Sequence, residues 1–147
     1  FHGADGSLLF APHSVVSLRV QGSVVRAIDL QTQQFLVGTP PDSGVATVMG
    51  QLRDLGLLTD SHVDLSLEGV ARQSRVDPAL DLAPAPDGVL LLHASVGTSL
   101  ERPGRTWTLG IEGHNLLNTV SRDYNSLLRY YADQPGRDIR VHLSTDI

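Results

Sequence analysis

From Val16 to Val24 the chain alternates. Val16, Leu18, Val20 and Val24 fall on one face of an extended segment, and Ser17, Arg19, Gln21 and Ser23 on the other. The same period of two returns with Val63, Leu65 and Leu67 against Asp64, Ser66 and Glu68, and with Trp107, Leu109 and Ile111 against Thr108, Gly110 and Glu112. It is strictest at the end of the chain, where Ile139, Val141, Leu143 and Ile147 oppose Asp138, Arg140, His142, Ser144 and Asp146. Each such run reads as a strand with one apolar and one polar side. Strands are expected over 5–11, 15–30, 43–55, 62–77, 89–102, 106–118 and 138–147; in the third, both faces are apolar in places and the facing is left open.

The connections between these strands have a rhythm. Those near 12–14, 56–61 and 103–105 are short, and those at 31–42, 77–88 and 119–137 are long and carry the Pro, Gly, Asn and Asp residues that end ladders. Short and long alternate, the asymmetry of an outer-membrane barrel with short turns below and longer loops above. The expected fold is therefore all-β: an antiparallel up-and-down meander of about seven strands, a segment of a large transmembrane β-barrel. Small soluble up-and-down barrels share the rhythm, so a soluble barrel or sandwich that binds an apolar ligand or a protein partner is the second reading.

Composition narrows this picture. The chain has 147 residues, about one domain's worth, of which 41% are apolar and 18% charged. No window is apolar over the roughly 18 residues a spanning helix needs, but spanning strands average out to near-neutral hydropathy such as the −0.02 found here. A formal charge of −5 without clustered Arg or Lys argues against a nucleic-acid surface. The absence of cysteine removes disulfides, thiol catalysis and Cys-ligated zinc. The chain starts at Phe1 with no visible export signal, which reads as a processed product or a piece of a longer chain.

From about Trp107 onward the sequence resembles the C-terminal end of the barrel of TonB-dependent outer-membrane receptors. The penultimate strand of those receptors often runs into a stretch like Ile111, Glu112, Gly113, His114, Asn115, Leu116, Leu117 and Asn118. Arg122, Asp123 and Tyr124 follow, and then a loop with aromatic and Pro-Gly-Arg elements, here Tyr131, Ala132, Pro135, Gly136 and Arg137. The run 71–77 (ARQSRVD) also resembles the end of an upward strand in such barrels. Ile147 stands where family members usually carry Phe or Trp, and aromatics make up only 5% of the chain. The resemblance implies the last third or so of a barrel of the 22-stranded, plugged class, with the plug domain outside residues 1–147. It also implies the bacterial outer membrane as location and outer-membrane lipid as surroundings. Its partners would be a TonB-type energy-transducing protein, engaged through the missing N-terminal part, and a small nutrient ligand such as a siderophore-iron complex or cobalamin. No cofactor and no enzymatic step are implied.

The residues themselves carry little catalytic chemistry. None of the six histidines shares an i, i+4 or H-x-H spacing, so a metal site is not expected; His93 and His142 are placed on polar strand faces. Glu112 and Asp64 have the residue types of an acid–base pair, but carboxylates opposite Arg in a polar lumen are the commoner arrangement. The chain has no nucleophile-elbow or phosphate-loop motif. Asn115 and Asn118 are read as amides that satisfy backbone groups where a strand bends into its loop. Tyr124, Tyr130 and Tyr131, the only tyrosines, are read as rings anchored at the headgroup level in preference to stacking on a ligand.

Overall fold

In a computed structural model, which describes residues 1–52 and 56–146, the chain is a single antiparallel sheet of seven strands in the order β1-β2-β3-β4-β5-β6-β7. The strands are β1 (His2–His13), β2 (Val16–Arg26), β3 (Ser43–Leu52), β4 (Leu58–Val70), β5 (Val89–Arg102), β6 (Arg105–His114) and β7 (Asp138–Asp146). The all-β meander expected from the alternation is therefore present. Helix is confined, among the described residues, to 3₁₀ turns at Pro78–Leu80 and Leu127–Tyr130. Among the described residues no helix is long and apolar enough to cross a membrane, which says nothing of crossing by strands.

Register sorts the side chains. Val20 lies between Leu8 and Ala46, Leu65 between Val48 and Ala94, and Ile111 between Val96 and Val141, so one face is apolar from edge to edge. Pairing of Val48 with Leu18 also settles the facing of β3: Ala46 and Val48 join the apolar side, and Val45 and Met49 go to the polar side. The polar face carries cross-strand bonds such as Thr47 to Ser66 at 2.9 Å and Ser95 to Asp64 at 3.2 Å. In one row of this face two glycines are flanked by histidines. His62 opposes Gly97, Gly97 opposes Gly110, and Gly110 opposes His142, and both imidazoles lie where a glycine Cβ would otherwise stand.

Among the described residues, nothing covers the apolar face. Val48 and Leu65, in interior strands, are each 49% exposed, and the only buried apolar residues described are Ala27 and Tyr124, both outside the strands. The chain exposes 10048 Å². A compact monomer of 15.8 kDa would expose about 7300 Å². The sheet is thus one layer, and the described residues form no hydrophobic core on it.

Short turns join β1 to β2, β3 to β4 and β5 to β6 at one end of the sheet, and long connections leave the other end. Pro103-Gly104 makes a two-residue turn between the paired Arg102 and Arg105, with Gly104 at φ 77°, a value the second central position of such a turn requires. Strand ends differ from expectation in β1, β2, β4 and β6. β1 begins at His2 and runs through Pro12 to His13; pairing with β2 overrides its Gly-rich start, and the register shifts between Phe10 and His13, where an edge strand tolerates Pro. β2 stops at Arg26, four residues before the expected end, and β4 starts at Leu58, inside the expected turn. β4 stops at Val70, and 71–77 turns into the loop, while β6 stops at His114. Residues 53–55 of the expected third strand and Ile147 of the last lie outside the described residues.

Candidate functional site

The three long connections, 27–42, 71–88 and 115–137, are tied to one another above the polar face. Asp42 is the first tie. Its carboxylate accepts from Arg26 at 2.5 and 2.9 Å and from Arg75 of the second loop at 3.0 Å, and the Arg26 bond, ahead of the Arg75 charge, holds its pKa below the usual range. Gln73 is the second. It is 2% exposed, donates to Thr39 O at 2.7 Å and accepts from Arg75 N at 3.0 Å, so its amide bonds loop backbone on both sides.

The third tie joins the second and third loops. Arg129 donates to both Asp81 oxygens at 2.6 and 2.7 Å, and both side chains are almost fully buried. Its guanidinium carbon lies 4.5 Å from the Tyr124 ring centroid and 4.4 Å from that of Tyr130, a double cation–π clamp. The Tyr130 hydroxyl donates to Asp81 at 2.8 Å. These contacts, the Arg129 bond foremost, lower the Asp81 pKa to about 2. Burial raises the pKa of Tyr124, and the bond to Asp81 raises that of Tyr130. This arrangement corrects the reading of the tyrosines. Tyr124 and Tyr130 are spent on a buried ion pair within the loops, and Tyr131 alone is exposed, at 84%.

Most residues of the resembling motif have structural work at the junction of β6 and its loop. Asn115 takes φ 48°, accepts from Thr119 N at 2.9 Å and donates to Thr119 O at 2.8 Å. Asn118 takes φ 54° and accepts from Arg137 N at 2.9 Å. Both amides thus serve the backbone, and both residues adopt the left-handed region that Asn tolerates best after Gly. A Cβ at Gly136 would stand 2.8 Å from the Asn118 Oδ1, so the close approach needs glycine. Leu116 bonds through its N–H to Leu92 O at 2.8 Å, and its side chain lies over Gly113. Pro135 O lies 3.5 Å from the Asn115 amide nitrogen. Arg122 pairs with Asp133 and donates to Arg129 O at 3.0 Å, and Asp123 caps the Asn125 N–H at 2.9 Å.

Under these loops lies a cleft of about 640 Å³ whose floor is the polar face and whose roof is the loops. Glu68, His93, His114 and Arg140 form much of the floor, and Gln73, Arg122, Tyr124 and Gln134 come from above. The His93 and His114 rings meet edge to face at 5.7 Å. Their Nε2 atoms lie 3.5 Å from Glu68 and Glu112, respectively, and make no hydrogen bond although both are shielded from solvent. Of the motif residues, the cleft touches Asn115, Arg122, Asp123, Tyr124, Pro135 and Gly136, whereas Leu116, Asn118, Tyr131 and Arg137 lie outside its lining. Among the described residues no group of three or more His, Asp or Glu side chains is arranged to hold a metal ion. Sequence reading missed Asp42, Gln73, Asp81 and Arg129. The ties they make between loops, Asp42 to Arg75, Gln73 to Thr39 and Asp81 to Arg129, span 33, 34 and 48 residues, beyond any local pattern.

The cleft is amphipathic and offers paired charges and two imidazole nitrogens without a hydrogen bond. The fold defines a class, the single-layer antiparallel β-meander with all its long loops at one end. Comparison of the chain with protein-family models, with curated proteins and with solved structures gave no match.

Proposed function

We propose that the chain is a barrel segment of an outer-membrane receptor, similar to the TonB-dependent receptors, that takes a small, scarce nutrient into the cleft for energised import without a catalytic step. One observation carries the reading. A seven-stranded sheet presents an uncovered apolar face from β1 to β7, with its polar face turned to the cleft. In water such a face is an aggregation surface, whereas in a bilayer it is the lipid contact of a barrel wall. β1 to β7 run 9 to 14 residues each, lengths that cross an apolar band at the tilt of known barrels. On this reading the surroundings are outer-membrane lipid, and the loop cap faces outward. On the same reading a TonB-type energy-transducing protein engages residues beyond these, and the nutrient is a small, scarce molecule such as a siderophore-iron complex or a cobalamin. The soluble barrel or sandwich would need a second layer over the apolar face, and the described residues supply none.

Fractionation of cells that make the native protein tests the proposal. Release from the outer membrane by detergent alone, with an electrophoretic mobility that changes on boiling as folded barrels do, is the expected result. Recovery as a dispersed species in the aqueous fraction would overturn it.

A further inference from the structure

We propose that His93 is a proton-sensitive anchor for the third long loop: neutral, it holds the root of 115–137 down at the cleft, and on taking up a proton it lets that root go. The root sits on the start of β5. Asn115 N–H donates to Nδ1 of His93 at 3.5 Å, Leu116 N–H to Leu92 O at 2.8 Å, and the Thr119 hydroxyl to Leu90 O at 3.2 Å. Two of these acceptors are carbonyls, which accept at any pH. The imidazole nitrogen accepts only while it carries no proton.

An accepting Nδ1 places the proton of the neutral ring on Nε2. That nitrogen lies 3.5 Å from Glu68 Oε2 without closing a hydrogen bond. A second proton must therefore go to Nδ1, where the ring N–H and the Asn115 N–H would face each other. The docked loop thus takes the neutral ring, and the lifted loop takes either form.

The surrounding charges leave this sign unchanged. Glu68 and Asp64 on β4, Glu112 and His114 on β6, and the Asp138–Arg140 pair on β7 stand on the same sheet as His93. They keep their places whether the loop is docked or lifted, so they bear on both states alike. The His114 ring, edge to face with His93 at 5.7 Å, opposes a second charge beside the first. From the roof, Arg122 is paired with Asp133, Asp87 with Arg72, and Asp123 accepts from the Asn125 N–H of its own turn.

Histidine changes its charge between pH 5 and 8. A docked state that binds one proton fewer loses up to about tenfold in its docking equilibrium for each pH unit below the transition. Since the third loop is tied to the second and the second to the first, release of this root loosens the roof of the cleft. Acid then opens the space that neutral pH keeps covered. The Asp81–Arg129 contact is lost only at lower pH, as Asp81 itself takes up a proton, so the two effects separate. The inference regulates the cleft of the proposed function but uses only contacts within the chain, and does not need the barrel reading.

Amide hydrogen exchange on the native protein, in whichever cell fraction holds it, tests the anchor. Each rate is divided by that of an unstructured chain at the same pH. Between pH 7.5 and 5.5, protection of the Leu116 and Thr119 amides should fall about tenfold or more, with β4 unchanged. His93→Gln, which offers an acceptor that does not titrate, should show no such fall, whether its protection is high or low. His142→Gln removes a histidine of the same face that lies outside the cleft lining and should keep the parent's fall. Constant protection in the parent, or an undiminished fall in His93→Gln, would overturn the inference. Fractionation decides the membrane reading separately, and either of its outcomes leaves this test standing.

Discussion

Arginine placed at two neighbouring positions of β2 separates a lipid-facing sheet from a water-facing one. Val20 and Gln21 are adjacent at the middle of an eleven-residue strand and point to opposite faces, Val20 between Leu8 and Ala46, Gln21 between Ser7 and Val45. At about 3.4 Å per residue and a tilt near 40°, the strand covers roughly 26 Å along the bilayer normal, close to the height of an apolar barrel band. Both positions then lie within about 3 Å of the midplane, where Arg on the lipid face costs about 2–4 kcal/mol. Val20→Arg should accordingly lower the folding equilibrium constant roughly 30- to 700-fold. Gln21→Arg, at the same depth on the polar face and with no side-chain bond to lose, should stay within about 0.5 kcal/mol of the parent. The assay is reversible denaturant unfolding of the native protein in phospholipid vesicles, followed by tryptophan fluorescence. Equal effects from the two substitutions, or a difference below about 0.5 kcal/mol, would refute the assignment of faces to lipid and lumen.

Three further outcomes are expected. Asn115→Ala should destabilise the β6–β7 connection by about 2–3 kcal/mol, because alanine pays the left-handed strain and loses both bonds to Thr119, while Asn115→Gly should cost about half as much; exchange at the Thr119 amide reads the difference. Asp81→Asn leaves a buried Arg129 charge without its counter-ion and should loosen the cap by about 3–5 kcal/mol, read as faster exchange across 115–137 with β4 unchanged. The parent shows the same contact as a pH effect. Because the folded Asp81 pKa is depressed to about 2, its contribution is complete above the unfolded carboxylate range near 4 and is lost as pH falls from there through about 2. Gly136→Ala should push the Asn118 carbonyl away and strip protection from the Arg137 amide at a cost of about 1 kcal/mol, and full retention of that protection would contradict the close approach.

The parts of this fold legible in the sequence are those in which neighbours along the chain carry the information. β5 begins at Val89 and ends at Arg102, the bounds that the flanking Gly88 and Pro103 indicate. The turn at Pro103-Gly104 and the backbone role of Asn115 and Asn118 come from the same local source. β1 was harder, since Gly3, Asp5 and Gly6 are poor strand formers that only the ladder with β2 holds extended. The end of β4 was hidden for the opposite reason: residues 71–77 look extended, yet Gln73 leaves the ladder to bond Thr39 in another loop. The tyrosines show the limit most clearly. Their amphipathic character suits a membrane interface and a buried cation equally well, and only Asp81, far off in sequence, decides for the second.

The ties among the loops also set a clock. Asp42, Gln73 and the Asp81–Arg129 pair bind three separate connections into one body, so none can lift away without breaking contacts with another. Entry to and exit from the space beneath them would then follow a single opening event with one rate constant. Relaxation after rapid mixing would be single-exponential where three independent flaps would give several phases, and one ion pair, Asp81 with Arg129, would set much of its barrier.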